Sequence, residues 1–446
     1  MIQLAPHPQS SQVPLALYNT LLSCLVPPLL PLAGLVLLLR PHYRPGLSQR
    51  LGFLPATLRE HVRERRPLWV HGPSVGEILA TRPFLQALKH TLPNTPLLLS
   101  VHTPTAYAIA HTRLPEADAV IYFPLDHPLV TYRVLRQVQP AAFFFTETEI
   151  WPNMLSMLAR RQIPTFLVSG RFSARALIRY RRFSWLFRPI FRNLTLCCMQ
   201  TMYDAERLIA AGVLPQRVVV TGTFKADAVP HSDHRGKAIL QDAGLAQRPL
   251  LVAASTHAGE EEVLLHAYNT LRTAVPHLLL LLAPRHPQRF PAVEHLLKTK
   301  GYRYLKRSQA GREQGKEVDV FFLDTLGELV SFYSSAALAF VGGSLVKGAG
   351  GHSMIEPALA QVPVCFGPHT HNFAAVAEAL VRTGGGREVR DSQDLYHWAL
   401  PLLTDPRARQ EAGRRAYEVV KQGQGAVART MAVVLSHLPP SVYAHS

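Results

Sequence analysis

The chain has 446 residues, enough for two or three domains and for sizeable cores. Apolar residues make up 48% and charged residues 17%, a composition that excludes a disordered chain. Lysine and arginine number 47 against 30 acids, a formal net charge of +17. That balance favours nucleic acid, anionic lipid or a phosphorylated substrate without choosing among them. The cysteines, Cys24, Cys197, Cys198 and Cys365, are too few for a disulfide scaffold. Cys197 and Cys198 are neighbours, which suits neither a zinc site nor a bridge, so reduced buried thiols are expected.

In chain order, Val13 to Leu39 carries no charged side chain and is rich in leucine, long enough for a bilayer. Arg40, Arg44 and Arg50 follow it, and no lysine or arginine precedes it. The positive-inside rule then places the rest of the chain in the cytoplasm. Pro27, Pro28 and Pro31 leave a kinked span and an interfacial helix equally open. Residues 1–40 are therefore expected to form a membrane anchor.

After Gly52, short apolar runs alternate with amphipathic stretches. The runs Leu68–Gly72, Pro96–His102, Ala119–Phe123, Ala141–Glu147, Thr165–Ser169, Thr195–Gln200 and Val218–Gly222 read as strands. Ile78–His90, Pro128–Gln137 and Tyr203–Ala211 read as helices between them. Several runs are apolar throughout, as in strands covered on both faces. A polar stretch with Pro230 interrupts the pattern. A second series then takes Leu250–Ser255, His277–Pro284, Val318–Leu323, Leu338–Gly342 and Val362–Phe366 as strands. The expected organisation is a first Rossmann-like domain over 41–226, a linker over 227–249, a second such domain over 250–404 and a helical segment over 405–446. Two doubly wound α/β domains facing one another would form a cleft, with ligands at the carboxyl ends of the strands.

Several motifs fall at those ends. His71-Gly72-Pro73-Ser74-Val75-Gly76-Glu77 follows the first strand and opens a helix, so Glu77 is either a general base or a first-turn acid complementing the helix dipole. A helix start lowers a carboxylate pKa, so a basic Glu77 needs partial burial. Glu147 and Glu149, two apart, share a face of an extended segment and suit acid–base work or pairing with arginine. Arg171 to Arg192 holds seven arginines among Tyr180, Phe183, Trp185, Phe187 and Phe191, and no acid lies between Ile150 and Tyr203. This pattern fits an interfacial surface for anionic head groups; it also fits RNA, although no RNA-binding motif appears.

In the second series, Ser255-Thr256-His257-Ala258-Gly259 precedes the acidic run Glu260 to Glu262, and Arg285-His286 follows the next strand. Gly342-Gly343-Ser344 and Gly348 to Glu356 form the strongest local signal. Two glycine clusters allow close backbone approach, a helix is expected near Ser353, and Glu356 could hold ribose hydroxyls. The spacing matches neither the dinucleotide fingerprint nor the Lys-Ser/Thr phosphate loop. No His-x-x-x-His, Cys-x-x-Cys or Asp-x-Asp pattern stands out, and no metal is expected.

Together these blocks resemble the Kdo transferases, which add 3-deoxy-D-manno-octulosonic acid (Kdo) to the lipid A precursor. The matching blocks run in order from Arg50-Leu51-Gly52 through Ser74-Val75-Gly76-Glu77, Thr103-Pro104-Thr105, Phe123-Pro124-Leu125-Asp126, Glu147-Thr148-Glu149-Ile150-Trp151-Pro152-Asn153 and Gly170-Arg171-Phe172-Ser173. They continue with Gly222, Lys225 and Asp227, then Ser255-Thr256-His257, Pro284-Arg285-His286, Asp324 with Gly327-Glu328-Leu329, and Gly342-Gly343-Ser344. Gly350-Gly351-His352 with Glu356-Pro357, and Gly367-Pro368-His369 with Asn372-Phe373, complete the order. The chain departs from the family pattern at Pro73, Ala106, Ser169-Gly170 and Ser353.

The resemblance implies a GT-B fold, CMP-Kdo as donor and inversion at the anomeric carbon. It implies no metal or cofactor, no nucleic-acid partner, and attachment to an anionic membrane surface on the cytoplasmic face of the inner membrane. Glu77 matches the family's proposed general base. Ser255, Thr256, Arg285, His286, Gly342, Gly343, Ser344, Gly351, Glu356 and Asn372 match the nucleotide side, and Lys225 a basic residue near it. A GT-B enzyme using a UDP- or GDP-sugar, or a non-enzymatic basic RNA-binding or adaptor protein at the membrane, are the alternative readings.

Overall fold

The computed structural model describes residues 14–24, 28, 44–56, 65–228, 235–310 and 317–445. The chain divides into two compact units, the first comprising 1–228 and 424–446, the second 229–423. Each is built on one seven-stranded, all-parallel sheet with helices on both faces.

In the first unit the strands are β1 (Leu68–His71), β2 (Leu97–Val101), β3 (Ala119–Tyr122), β4 (Ala142–Thr146), β5 (Thr165–Gly170), β6 (Leu196–Met199) and β7 (Val218–Val220). Their order is β3-β2-β1-β4-β5-β6-β7, so the winding reverses between β1 and β4. Alternate residues of each strand feed opposite cores. Trp69, Leu98, Phe143, Phe145 and Leu167 face one helix layer. Leu68, Val70, Leu99, Phe144 and Phe166 face the other. Trp69 and these phenylalanines are fully buried, each contributing about 2–3 kcal/mol of apolar transfer. This two-sided burial is why the strands read as continuous apolar runs.

In the second unit the strands are β8 (Leu250–Thr256), β9 (Leu279–Pro284), β10 (Tyr304–Lys306), β11 (Val320–Phe322), β12 (Leu338–Val341), β13 (Val364–Phe366) and β14 (Gly386–Glu388). The order is β10-β11-β9-β8-β12-β13-β14, with the reversal between β8 and β12. The edge strands β10 and β14 carry no apolar run in the sequence. Each has three residues, and Lys306, Arg387 and Glu388 blunt the open edges against further pairing.

The closing stretch, expected as one helical segment, is shared between the units. The Pro406–Gly423 helix belongs to the second unit. The chain then returns to the first, where Ala426, Val427, Met431 and Val434 join the core beneath Ile78, Phe84 and Leu85. Asp227 fixes the return: its carboxylate accepts the backbone N–H groups of Gly425 and Val427, both at 2.7 Å.

The uncharged run Val13 to Leu39 lies mostly outside the described residues. Residues 14–24 are helical, and among the described residues no helix is long and apolar enough to cross a membrane. Most of the expected linker before Arg235 likewise lies outside them.

Candidate active site

In each unit the candidate groups gather where the winding reverses, beyond the carboxyl ends of the strands. An open parallel sheet leaves its crevice there because successive crossovers diverge to opposite faces.

In the first unit, Ser74 caps the helix Val75–Thr91, and Glu77 is its third residue. The Glu77 Oε2 accepts the Ser74 backbone N–H at 2.7 Å, half of a reciprocal capping box. That bond lowers the carboxyl pKa, yet the net shift is upward, because burial dominates and the Glu147 charge adds to it. Glu77 is half-buried. Glu77, Thr146, Glu147, Ser169, Phe224 and Lys225 line one small hollow. Lys225 Nζ lies 3.4 Å from Glu147 Oε1. Two carboxylates and one ammonium therefore share the hollow, and the cation belongs to the first unit, with Glu77.

The backbone is unusual at this edge. Glu147, the residue after β4, has φ of 56°, and Ser169 and Ser255, the penultimate residues of β5 and β8, have 49° and 54°. Left-handed conformations are uncommon for such residues, and at Ser169 and Ser255 they coincide with a shift of register against the neighbouring strand.

Glu149 faces a different group from the expected arginine. Its Oε2 accepts from Trp151 Nε1 at 3.0 Å and lies 3.3 Å from His102 Nε2 and 3.8 Å from His71 Nε2. Burial raises its pKa, but the two facing imidazoles outweigh burial and hold it at about 2.

The Ala174–Arg182 and Ser184–Phe191 helices carry the arginine-rich stretch. Tyr180 and Phe191 are core residues, with Phe187 and Phe172 stacked around them. The outer face instead presents Arg175, Arg179, Arg181, Arg182, Arg188 and Arg192 with Ile178, Phe183 and Trp185.

In the second unit the Gly342-Gly343-Ser344 turn is organised by Glu260, the first residue of the acidic run. Its buried carboxylate accepts the N–H groups of His257 and Gly343 on Oε2, both at 2.8 Å. Oε1 takes those of Ser344 and Leu345, both at 2.9 Å. The turn's donors thus hold an internal anion. A Cβ at Gly342 would lie 2.6 Å from the Ser255 carbonyl oxygen and 2.7 Å from Glu260, so this position demands glycine. Ser344 is fully buried, its hydroxyl donating to Val341 O and accepting from Gly367 N. Thr256 donates to Glu261, which also holds Arg289. These residues shape the edge.

The groups pointing outward from that edge are different. His257 and His352 approach with Nε2 atoms 2.8 Å apart, and the His286 ring stands edge-on to His257. Burial, then Arg285 and the other imidazoles, lowers the His352 pKa to about 4. The Arg285 guanidinium is exposed, and its charge reaches both His352 and Glu356. Glu356 sits in the short Ile355–Leu359 helix, its pKa raised by burial against the Ser353 hydroxyl and Arg285. Asn372 donates to Ala349 O and Gly351 O, tying down the glycine-rich loop. Arg285, His286, His257, His352 and Glu356 form one polar cluster suited to an anionic ligand.

Residues 45–228 match the family model described as 3-deoxy-D-manno-octulosonic-acid transferase. The chain is 32% identical over 427 residues to the 3-deoxy-D-manno-octulosonic acid transferase of Haemophilus influenzae, covering 95% of this chain and 99% of that one. It is 36% identical over 382 residues to the Bordetella pertussis transferase of the same name, covering 82% and 86%. Among solved structures, the UDP-GlcNAc 2-epimerase of Neisseria meningitidis bound to UDP-GlcNAc matches with a TM-score of 0.57 at 14% identity, over 83% of this chain and all of that one; this is a likeness of fold. With the motifs in order and a relative aligned nearly end to end, the chain belongs to the 3-deoxy-D-manno-octulosonic acid transferase family.

Proposed function

We propose that this chain is a glycosyltransferase of lipopolysaccharide biosynthesis that moves Kdo from CMP-Kdo to a lipid A precursor. The observation that carries the reading is the 32% identity to the Haemophilus influenzae transferase over almost the whole of both chains. In this reaction an acceptor hydroxyl oxygen bonds to the anomeric carbon of Kdo while the bond from that carbon to the CMP phosphate oxygen breaks. The leaving electron pair goes to the phosphate, and the hydroxyl proton must go to a base.

Glu77 suits the base role. One carboxylate oxygen is anchored by Ser74, and burial raises its proton affinity. Lys225 holds Glu147 beside it and limits the mutual repulsion of the two acids. In the second unit, Arg285 with the His257, His286 and His352 cluster suits the CMP phosphate, and Glu356 suits ribose hydroxyls. In a GT-B arrangement the first unit handles the acceptor and the second the donor. The arginine-rich outer face, with Phe183, Trp185 and Ile178 exposed, suits the phosphates of the acceptor and of the inner membrane's cytoplasmic leaflet.

The test is mass spectrometry of the product formed from a lipid A precursor with CMP-Kdo, UDP-sugars or GDP-sugars as donors. Addition of Kdo mass from CMP-Kdo alone is expected. Product only with a UDP- or GDP-sugar overturns the reading.

A further inference from the structure

The three side chains His71, His102 and Glu149 lie outside the transfer chemistry argued above. His71 is the last residue of β1, His102 follows β2, and Glu149 follows β4, so adjacent strands bring them to one point of the sheet edge. His71 is completely buried, and its Nε2 has no hydrogen-bond partner.

The other ring nitrogen of His71 is held from one side. Nδ1 lies 3.1 Å from the Ser100 carbonyl oxygen and 3.0 Å from the Ser100 hydroxyl oxygen, which accepts the Trp69 indole N–H. With Nδ1–H given to the carbonyl, Nε2 offers the bare lone pair that a metal ligand needs. Nε2 lies 3.8 Å from the Glu149 carboxylate, beyond hydrogen-bond reach. A cation between the two would satisfy both.

The arrangement has the marks of a metal site. One ligand atom from each of His71, His102 and Glu149 lies within 4.8 Å of the other two. Zinc bonds of about 2.0–2.2 Å in a tetrahedron place ligand atoms about 3.3–3.6 Å apart. The His102–Glu149 distance of 3.3 Å meets that span, and the His71–Glu149 distance of 3.8 Å closes on it with a small side-chain shift. A hydrogen bond from Nδ1–H to a backbone carbonyl is the usual outer-shell support of a zinc-bound histidine, fixing ring and tautomer together. Trp151 Nε1 orients the carboxylate in the same manner. Arg50 donates to the His102 carbonyl oxygen and holds the loop after β2. Glu149 and Trp151 also line an open groove with Arg179, Tyr180, Phe183 and Phe187, which gives an entry path and room for a fourth ligand.

We propose that His71, His102 and Glu149 bind a divalent cation of the zinc class, with the fourth position open to water. Two imidazoles and one carboxylate favour zinc over magnesium or calcium, which prefer all-oxygen sites.

The test is equilibrium dialysis of the metal-stripped full-length protein against buffered Zn²⁺, with elemental analysis, and with Co²⁺ as a spectroscopic probe. One Zn²⁺ per chain and a tetrahedral Co²⁺ absorption spectrum are expected. Since losing an outer-shell partner costs about 10–100-fold in affinity, His102→Ala and Glu149→Gln, which each remove a ligand, should weaken binding at least that much. His102 is partly exposed, so its variant should fold, and thermal melting checks this. Failure to retain stoichiometric Zn²⁺ overturns the proposal. So does stoichiometric binding that is unchanged in folded His102→Ala and Glu149→Gln, since that places the metal among other histidines.

Discussion

Glu260 and Gly343 are joined by a hydrogen bond of 2.8 Å from the backbone N–H to a buried carboxylate, the centre of a four-donor cradle that ties β12 to the helix Glu260–Ala274. Each carboxylate oxygen accepts two N–H groups, so neither can be replaced by a donor. Charged hydrogen bonds contribute about 1.5–3 kcal/mol each, and orphaned buried donors are costly. Glu260→Ala should destabilise the protein by about 3–5 kcal/mol. Glu260→Gln should be nearly as damaging, since its amide NH₂ must face two N–H groups. Urea unfolding of both variants measures this; a neutral Gln substitution would show that the cradle does not need a carboxylate.

The Glu77 carboxylate holds its helix start and is the proposed base, and the two roles separate in one variant. Gln at this position still accepts the Ser74 N–H and completes a capping box, so stability should change little. It accepts no proton, so turnover should fall by about 10²–10⁴-fold. Donor binding, read by titration with CMP-Kdo, should persist. Turnover at the wild-type level would remove Glu77 from the base role.

The sequence shows the two sheets well because both faces of each are covered, and Phe143, Phe144 and Phe145 have no polar side to blur the signal. It hides β10 and β14 because edge strands of three residues have neither length nor periodicity. Glu77 is legible because it follows a strand–glycine–helix junction. Glu260 is not, since three of its four partners lie about eighty residues away and only the fold makes it the anion that fills the glycine turn. His71 and His102 are separated by thirty-one positions and meet only because β1 pairs with β2.

Lys225 and Glu147 set the electrostatics around Glu77. With Lys225→Met the cation that lowers the Glu77 pKa is gone, while the Glu147 charge that raises it remains. A base works only when deprotonated, so activity falls as pH drops through its pKa. The acidic limb of the rate profile should therefore sit above the ordinary glutamate value in the wild type and move to higher pH in Lys225→Met. A pH profile of kcat for both proteins decides it; an unmoved limb would uncouple the pair from the base.

The outer arginine face should act through charge. Each basic residue near an anionic surface contributes about 1 kcal/mol. Arg181→Ala with Arg182→Ala should then weaken sedimentation with phosphatidylglycerol vesicles by about 30-fold, with no effect on neutral vesicles. Raising salt should erase the difference between variant and wild type, because exposed charges are screened within about a Debye length. Equal binding of the double variant at low salt would move the membrane contact elsewhere.

Asp227 connects the end of the chain to the Glu77 helix. Its carboxylate caps the final helix through Gly425 and Val427, and that helix supplies Ala426, Met431 and Val434 to the core under the Glu77 helix. Losing an acidic cap costs about 0.5–2 kcal/mol, so Asp227→Ala should lower the unfolding free energy by that amount. The loss should be local first. Hydrogen exchange should accelerate in the Ala426–Leu435 helix while β8 and β12 keep their protection, because those strands belong to the second unit. Asp227→Asn retains one acceptor oxygen and should recover part of the loss. If exchange rises equally in both units, Asp227 supports the whole fold and does not serve the terminal helix alone.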